Sequence, residues 1–134
     1  MSIEETVLRN CKTIAVVGLS SNPERHSHNV AHYLKQNGYT IIPVNPMERE
    51  VMGEPCYPDL LSVPQSVDVV EVFRRSEEVP PIVEQAIKKG VRTVWLQEGV
   101  INEPAAEKAR AAGLQVVMDR CMMKEHRKLG EKTG

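Results

Sequence analysis

What this chain has little of already narrows its chemistry. Aromatic residues make up 4% of 134 residues, one Trp, one Phe and three Tyr, too few to supply the stacking platforms of single-strand nucleic-acid binding. An excess of one charge is missing too. Against 17 basic residues stand 18 acidic ones, a formal charge of −1, so no overall field recruits a polyanion, although a local basic pocket remains compatible with this balance. Cysteine occurs three times, at Cys11, Cys56 and Cys121, with no C-x-x-C pair. An odd, widely spaced set argues against a disulfide scaffold or a zinc cage and leaves reduced thiols as the expectation. No apolar run approaches the roughly 20 residues of a membrane span. The opening Met1-Ser2-Ile3-Glu4-Glu5 carries acids where a signal peptide carries bases. The expected chain is cytoplasmic, with neither a membrane nor a nucleic acid as partner.

What is present is ordinary for a globular protein: 41% hydrophobic and 26% charged residues, far from the signature of disorder. At 15.0 kDa the whole of residues 1–134 is expected to form one domain around one core. Ile14-Ala15-Val16-Val17, stopped by Gly18, reads as a strand buried on both faces. Ser27 is placed to cap a helix from about residue 28 to 37, with Val30, Ala31 and Leu34 on one face and Gly38 just past its end. Thr40-Ile41-Ile42-Pro43-Val44 is the second strand, with Pro43 unable to donate to a ladder. Residues 47–66 show no period and are expected to be mostly loop, with Leu60-Leu61 in a short helical turn.

A third strand spans Val67 to Phe73, and a helix follows from Ser76 with Val79, Ile82, Val83, Ala86 and Ile87 at helical spacing. Pro80-Pro81 is tolerable only in the first turn, which pushes the start of that helix a residue or two later. Thr93 to Leu96 is the fourth strand, Asn102 caps a helix ending at Gly113, and Leu114 to Met118 is the fifth strand. The polar tail from Asp119 is read as one short helix.

Strands alternating with helices call for an α/β protein with a parallel sheet. The predicted architecture is a Rossmann-like three-layer sandwich with a five-stranded parallel sheet in the order 3-2-1-4-5. That order puts the reversal between the first and fourth strands, and ligands in such sheets bind outside the carboxyl ends at the reversal. The loops meeting there would be residues 18–27 and 97–102. In the first, Gly18 permits a tight turn, Ser20, Ser21 and Ser27 offer hydroxyls, Arg25 offers a cation, and the next helix aims its free N–H groups at the crevice. This pattern describes an anion site; it equally describes a turn and a cap with Arg25 in solvent. G-x-G-x-x-G is missing, and Val44-Asn45-Pro46 holds no acid for an adenosine ribose, which disfavours a dinucleotide dehydrogenase. G-x-x-x-x-G-K-[ST] is missing as well, removing P-loop NTPases and leaving another nucleotide with a pyrophosphate.

Five blocks at successive strand ends carry a family resemblance: Gly18-x-Ser20-x-x-Pro23-x-Arg25-x-Ser27, Val44-Asn45-Pro46, Val72-Phe73-Arg74-Arg75, Trp95-Leu96-Gln97-Glu98-Gly99-Val100 and Val117-Met118-Asp119-Arg120-Cys121. Together they resemble the small stand-alone bacterial CoA-binding proteins, whose fold is similar to the CoA-binding domain of the succinyl-CoA synthetase α-subunit. The resemblance implies that coenzyme A lies across the carboxyl edge of the sheet. Its pyrophosphate would lie near Gly18, Leu19, Ser20 and Ser21, with Ser27 close by, and its adenosine toward Asn45, Pro46 and Phe73. Gln97, Glu98 and Gly99 would pass near the pantetheine end, Gln97 standing where the synthetase domain has Thr. Arg25 and Arg74 are then candidate phosphate partners, since a guanidinium suits a phosphate bidentately.

Three histidines at 26, 28 and 32 lack the carboxylate of a metal motif, so neither a metal site nor a catalytic set is predicted. Cys121 is either a buried inert thiol or one able to form a mixed disulfide with CoA. The expected function is binding of coenzyme A or an acyl-CoA without evident catalysis. The alternatives are a CoA transferase or ligase component using Glu98 or Cys121 with a partner chain, and a CoA-linked redox or metabolic sensor. Apolar residues around Met122-Met123 leave a homodimer open.

Overall fold

The computed structural model describes residues 2–133. Its element order is α1 (Ile3–Asn10), β1 (Thr13–Val17), α2 (His26–Gln36), β2 (Thr40–Val44), β3 (Glu50–Val51), β4 (Glu54–Pro55), β5 (Val69–Val72), α3 (Val79–Lys89), β6 (Thr93–Leu96), α4 (Glu103–Ala111), β7 (Gln115–Val117) and α5 (Met122–Thr133). The five long strands form one parallel sheet. One face packs under α3, α4 and the 3-10 turn Leu60–Ser62, through residues such as Val70, Val83, Leu96 and Ala109. The other packs under α1, α2 and α5, through Val16, Leu34, Trp95 and Met122. The Rossmann-like three-layer sandwich is therefore present.

The strand order is not the expected one. The sheet runs β2-β1-β5-β6-β7, which is 2-1-3-4-5 in the numbering of the predicted five strands rather than 3-2-1-4-5. Pro43 supplies the physical reason. In the expected order the second strand would be paired on both sides, and a residue with no N–H would break a ladder bond there; on an edge strand it costs nothing. β1 instead takes the interior position between β2 and β5, with Ile14 opposite both Ile41 and Val69. The reversal consequently falls between the first and third long strands, which moves the crevice toward residues 73–76.

The connection that makes this crossing is the segment read as loop. Its β3–β4 hairpin turns at Met52 (φ 57°) and Gly53 (φ 78°), buries Val51 on the α2 face, and covers the outer edge of β2 through the Val44–Tyr57 bridge. Leu60, Val63 and Val67 then pack on the opposite face and deliver the chain to β5. Covering an edge strand in this way blocks pairing with a second chain.

Several boundaries differ as well. α1, capped by the Ser2 hydroxyl on the Glu5 N–H at 3.1 Å, was not expected; only Val7 and Leu8 of it are buried, too short a stripe to show a period. The cap of α2 is Arg25, without a side-chain bond, because the Ser27 hydroxyl is turned back to accept the Ser20 N–H. Gly38 does follow the helix at φ 96°. The third strand is confined to Val69–Val72, and Ser76 opens a 3-10 turn before α3, whose prolines occupy its first turn. Asn102 caps α4 as expected. The tail forms a 12-residue helix, α5, with Met122 fully buried and Met123 partly so. Of the pair that left a homodimer open, Met122 is thus core and Met123 packs against it while keeping part of its surface exposed.

Candidate functional site

β1 ends where the chain must turn sharply between two neighbours, and Gly18 is the residue that allows it. Its φ is +90°, and a Cβ there would stand 2.4 Å from the Phe73 carbonyl oxygen and 2.9 Å from Cδ of Arg74. Gly18 donates its N–H to Val44 O at 2.8 Å, and Phe73 donates to Val17 O at 2.8 Å. The ends of β2, β1 and β5 are thereby pinned together around one glycine.

Beyond Gly18 the loop is built from its own polar side chains. Ser20 donates its N–H to Ser27 Oγ at 3.1 Å, Asn22 to Ser20 Oγ at 3.1 Å, and Glu24 to Asn22 Oδ1 at 2.9 Å. Leu19 is fully buried in the α2-face core, so only its backbone faces the crevice, and its carbonyl accepts from Asn45 Nδ2 at 3.0 Å. Asn45 in turn accepts the Met47 N–H at 2.9 Å, which fixes the turn at Pro46. The first N–H groups of α2, at His26 and Ser27, have no carbonyl within the helix to bond and carry its positive dipole end. Ser21 and Arg25 are exposed, and Arg25 has no ion pair among the described residues.

On the far side of Gly18, Arg74 is already engaged. Its guanidinium donates to Glu78 Oε1 at 3.0 Å, while Glu78 Oε2 accepts the Arg75 N–H at 3.1 Å. The Arg75 N–H first, then the Arg74 side chain, hold the Glu78 carboxyl below the usual carboxylate range, partial desolvation opposing them.

Three hollows adjoin along this edge. One of about 370 Å³ holds Gly18, Ser20, Arg25, His26, Ser27 and Phe73. A second of about 370 Å³ has largely apolar walls at Val17, Val44, Pro46, Leu60, Pro81 and Ile82, with Arg74, Glu78 and Gln85 at its side. A third of about 570 Å³ holds His26, Phe73, Arg74, Arg75, Gln97, Glu98 and Val100. The first two share Gly18, the second and third share Arg74 and Glu78, and the first and third share His26 and Phe73. They form a groove running from the β2 side of the sheet to the β6 side.

Of the sequence-predicted residues, Gly18, Ser20, Arg25, Ser27, Pro46, Phe73, Arg74, Gln97 and Glu98 line this groove, whereas Leu19, Ser21 and Asn45 line none of its three hollows. Gly99 is not among the residues lining it. Its N–H is taken by Asp119 Oδ1 at 2.7 Å, so it shapes the 97–100 turn from behind. Glu98 is exposed and paired with Lys124 at 3.0 and 3.2 Å. Gln97 is 2% exposed, its Nε2 lies 3.2 Å from His26 Nε2, and its Oε1 has no partner. Sequence reasoning missed His26, Arg75 and the wall formed by Leu60, Pro81 and Ile82. The sequence offers His26 as a surface or capping residue or as a metal ligand, not as a groove residue. Its position as the first residue of α2 was the signal that it faces the crevice. No group of three or more potential metal ligands occurs among the described residues.

Comparison with known proteins points the same way as this geometry. Residues 12–127 match the family model described as CoA binding domain. The chain is 39% identical over 120 residues to the Bacillus subtilis protein YneT, covering 90% of this chain and 89% of that one. It superposes on a solved structure of a hypothetical protein from Pyrococcus horikoshii OT3 with a TM-score of 0.91 at 44% identity, over 96% of this chain and 92% of that one. It is also 26% identical over 121 residues to the ADP-forming acetate–CoA ligase I of Archaeoglobus fulgidus, covering 83% of this chain but only 18% of the ligase.

Proposed function

This chain belongs to the CoA-binding domain family, and we propose that its carboxyl-edge groove binds coenzyme A or an acyl-CoA. The observation that carries the reading is the close approach around Gly18, where two of the three adjoining hollows meet, the third joining them through Arg74, His26 and Phe73. Coenzyme A is a long ligand with three chemically different parts, and the groove offers three matching environments. The diphosphate fits the 18–21 loop and the first turn of α2, where N–H groups and the dipole favour an anion. The adenine fits the apolar walls at Val44, Leu60 and Ile82. The pantetheine arm, a run of amides ending in a thiol, fits the third hollow beside Gln97.

The two arginines are not equivalent in this reading. Arg25 is exposed and free of a carboxylate, so it meets a phosphate without giving up a partner. Arg74 must share its guanidinium with Glu78. Arg25→Ala is therefore expected to weaken coenzyme A by about 1.5–3 kcal/mol, roughly ten- to a hundredfold in Kd, with a smaller loss for Arg74→Ala. Titration calorimetry with coenzyme A and with dephospho-coenzyme A measures both effects. Absence of heat and of any protection against thermal unfolding at millimolar coenzyme A would overturn the assignment. Equal affinities for the two ligands would remove the 3′-phosphate from the contacts. Expected locations of the arms are further tested by Leu60→Asp, which should abolish binding by placing a carboxylate against the adenine.

A further inference from the structure

We infer that the end of the groove beside Gln97 is a thiol–disulfide exchange site, at which Cys121 attacks a bound coenzyme A disulfide and retains one coenzyme A as a mixed disulfide. The inference rests on the reading of the groove as a coenzyme A site and adds a covalent step to it.

Two independent observations meet at His26. Its Nε2 lies 3.8 Å from Cys121 Sγ and 3.2 Å from Gln97 Nε2, so one imidazole nitrogen faces both a thiol and an amide. The ring is held by an edge contact with Phe73, centroids 6.2 Å apart. Separately, Gln97 is 98% buried, yet its Oε1 has no donor, and the same residue lines the open third hollow. A buried acceptor without a partner is destabilising, and one on a residue that lines a cleft is relieved by a ligand that brings a donor. The pantetheine arm has two amide N–H groups and ends in a thiol. A ligand held through that acceptor carries its sulfur toward the imidazole and Cys121.

The three cysteines are otherwise unlike one another. Burial pushes Cys11 up to about 12 and also raises Cys56, and the structure gives neither a bond to a histidine. Cys121 is buried and lines none of the three hollows, while His26 is exposed and lines two of them, so the imidazole stands between the sulfur and the groove and has to move for a disulfide to reach Cys121.

Exchange fits this corner better than acyl transfer. Acyl transfer needs donors for an oxyanion, and four N–H groups of the two loops at this corner are taken: Gly99 by Asp119, Val100 by Gln97 O, Ile101 by Ser76 Oγ and Arg120 by Leu96 O. Disulfide exchange needs only a thiolate, a proton acceptor and room in line with the S–S bond. With coenzyme A disulfide as the co-reactant, His26 Nε2 accepts the Cys121 proton and the sulfur attacks the nearer sulfur of the disulfide. The Cys121–S–S–CoA bond forms, the original S–S bond breaks, and its electron pair leaves on the second coenzyme A, which takes the proton from His26. Cys121 is oxidised as the departing thiol is reduced.

The test treats the full chain with coenzyme A disulfide under native conditions and follows intact mass and peptide maps. The expected result is one coenzyme A adduct per chain, on Cys121, removed by dithiothreitol, retained in Cys11→Ser and absent from both Cys121→Ser and Cys121→Ala. Its rate should exceed that with glutathione disulfide by about tenfold or more, and His26→Ala should slow it by about tenfold and move its pH profile. An adduct that forms only in denaturant, maps to Cys11 or Cys56, or forms equally fast with glutathione disulfide overturns the inference. Calorimetry with reduced coenzyme A separates the two readings: binding without an adduct sinks only the exchange site, whereas no binding sinks the groove reading and this one with it.

Discussion

The two ends of the same sheet are built on opposite terms. At the amino end the polar groups satisfy one another. Asp68 Oδ2 accepts the N–H groups of Lys12 and Thr13 at 2.9 and 3.0 Å, and Thr93 donates its hydroxyl to Gln115 Oε1 at 3.1 Å. A hollow of about 210 Å³ lies there too, and among its polar walls Asp68, Thr93 and Gln115 are paired while the Arg92 side chain has no bonded partner among the described residues. At the carboxyl end, among the described residues, Arg25 has no carboxylate and Gln97 Oε1 no donor, and a glycine stands where no side chain fits. Cavities alone therefore do not mark the site. The marker is unmet bonding capacity kept open where backbone approaches backbone most closely.

Unmet bonding capacity needs a second condition, as the other orphan demonstrates. Glu71 is fully buried in β5, between Val16 and Trp95 of the flanking strands, with neither carboxyl oxygen bonded. It lines none of the hollows described above, so no ligand relieves it. Burial pushes its pKa from 4.5 up to about 8. The sign follows from proton counting: between these values the unfolded chain has released a proton that the folded chain keeps. Stability is fully present below about pH 4.5 and falls as pH rises through about 8, at about 1.4 kcal/mol per unit and at most about 4–5 kcal/mol in all. Urea unfolding of wild type and Glu71→Gln between pH 5 and 8.5 should show the slope only in wild type. Glu71→Leu should be the more stable protein at pH 8. The corresponding Gln97→Leu should instead cost coenzyme A affinity with little change in that slope. A slope that survives Glu71→Gln would mean the two orphans do not differ in the way described.

A similar contrast separates two glycines with positive φ. Gly18 and Gly53 sit at +90° and +78°, but a Cβ at Gly53 meets nothing within 4 Å. Gly53→Ala should cost about 1 kcal/mol, from backbone strain alone. Gly18→Ala adds a collision with a backbone carbonyl and should cost about 3 kcal/mol while abolishing coenzyme A binding. Chemical denaturation of both variants measures the difference. Equal losses would show that the β1–β5 junction is softer than its spacing implies.

The alternation of elements was readable because each long strand is an apolar run and most helices stop at a glycine. The order of strands was not, although Pro43 held the clue: its missing N–H is harmless only at an edge. The 18–27 loop was legible as a candidate anion site from its glycine, hydroxyls and helix start. The apolar wall proposed for the adenine was not, because Leu60 arrives on a connection with no periodicity and meets Ile82 only through the fold. Gln97 could be named from its position after the fourth long strand. Its unbonded oxygen is a property of packing, which no spacing of residues encodes.

The smallest expected effect is also the one that divides the two ends of the sheet most cleanly. Asp68 joins the start of β1 to the start of β5, and the Thr13 N–H, with that of Lys12 after it, holds its carboxyl below the usual range against an opposing partial burial. A depressed folded value gives stability that is present above the ordinary value of 3.8 and lost as pH falls through the lower one. Asp68→Ala leaves two strand-end N–H groups to water and should lower stability by about 1–2 kcal/mol at neutral pH, with a flatter acid limb. Because it lies at the opposite edge from the groove, its coenzyme A Kd should stay within about twofold of wild type, as expected for distant independent sites. Arg25→Ala should behave inversely, losing affinity while its unfolding midpoint hardly moves, since an exposed cation without a partner contributes little to folding. If instead Asp68→Ala weakens the ligand as strongly as Arg25→Ala, strand β1 transmits strain from one edge to the other, and the pairing of polar groups at the amino end serves the groove as well as the fold.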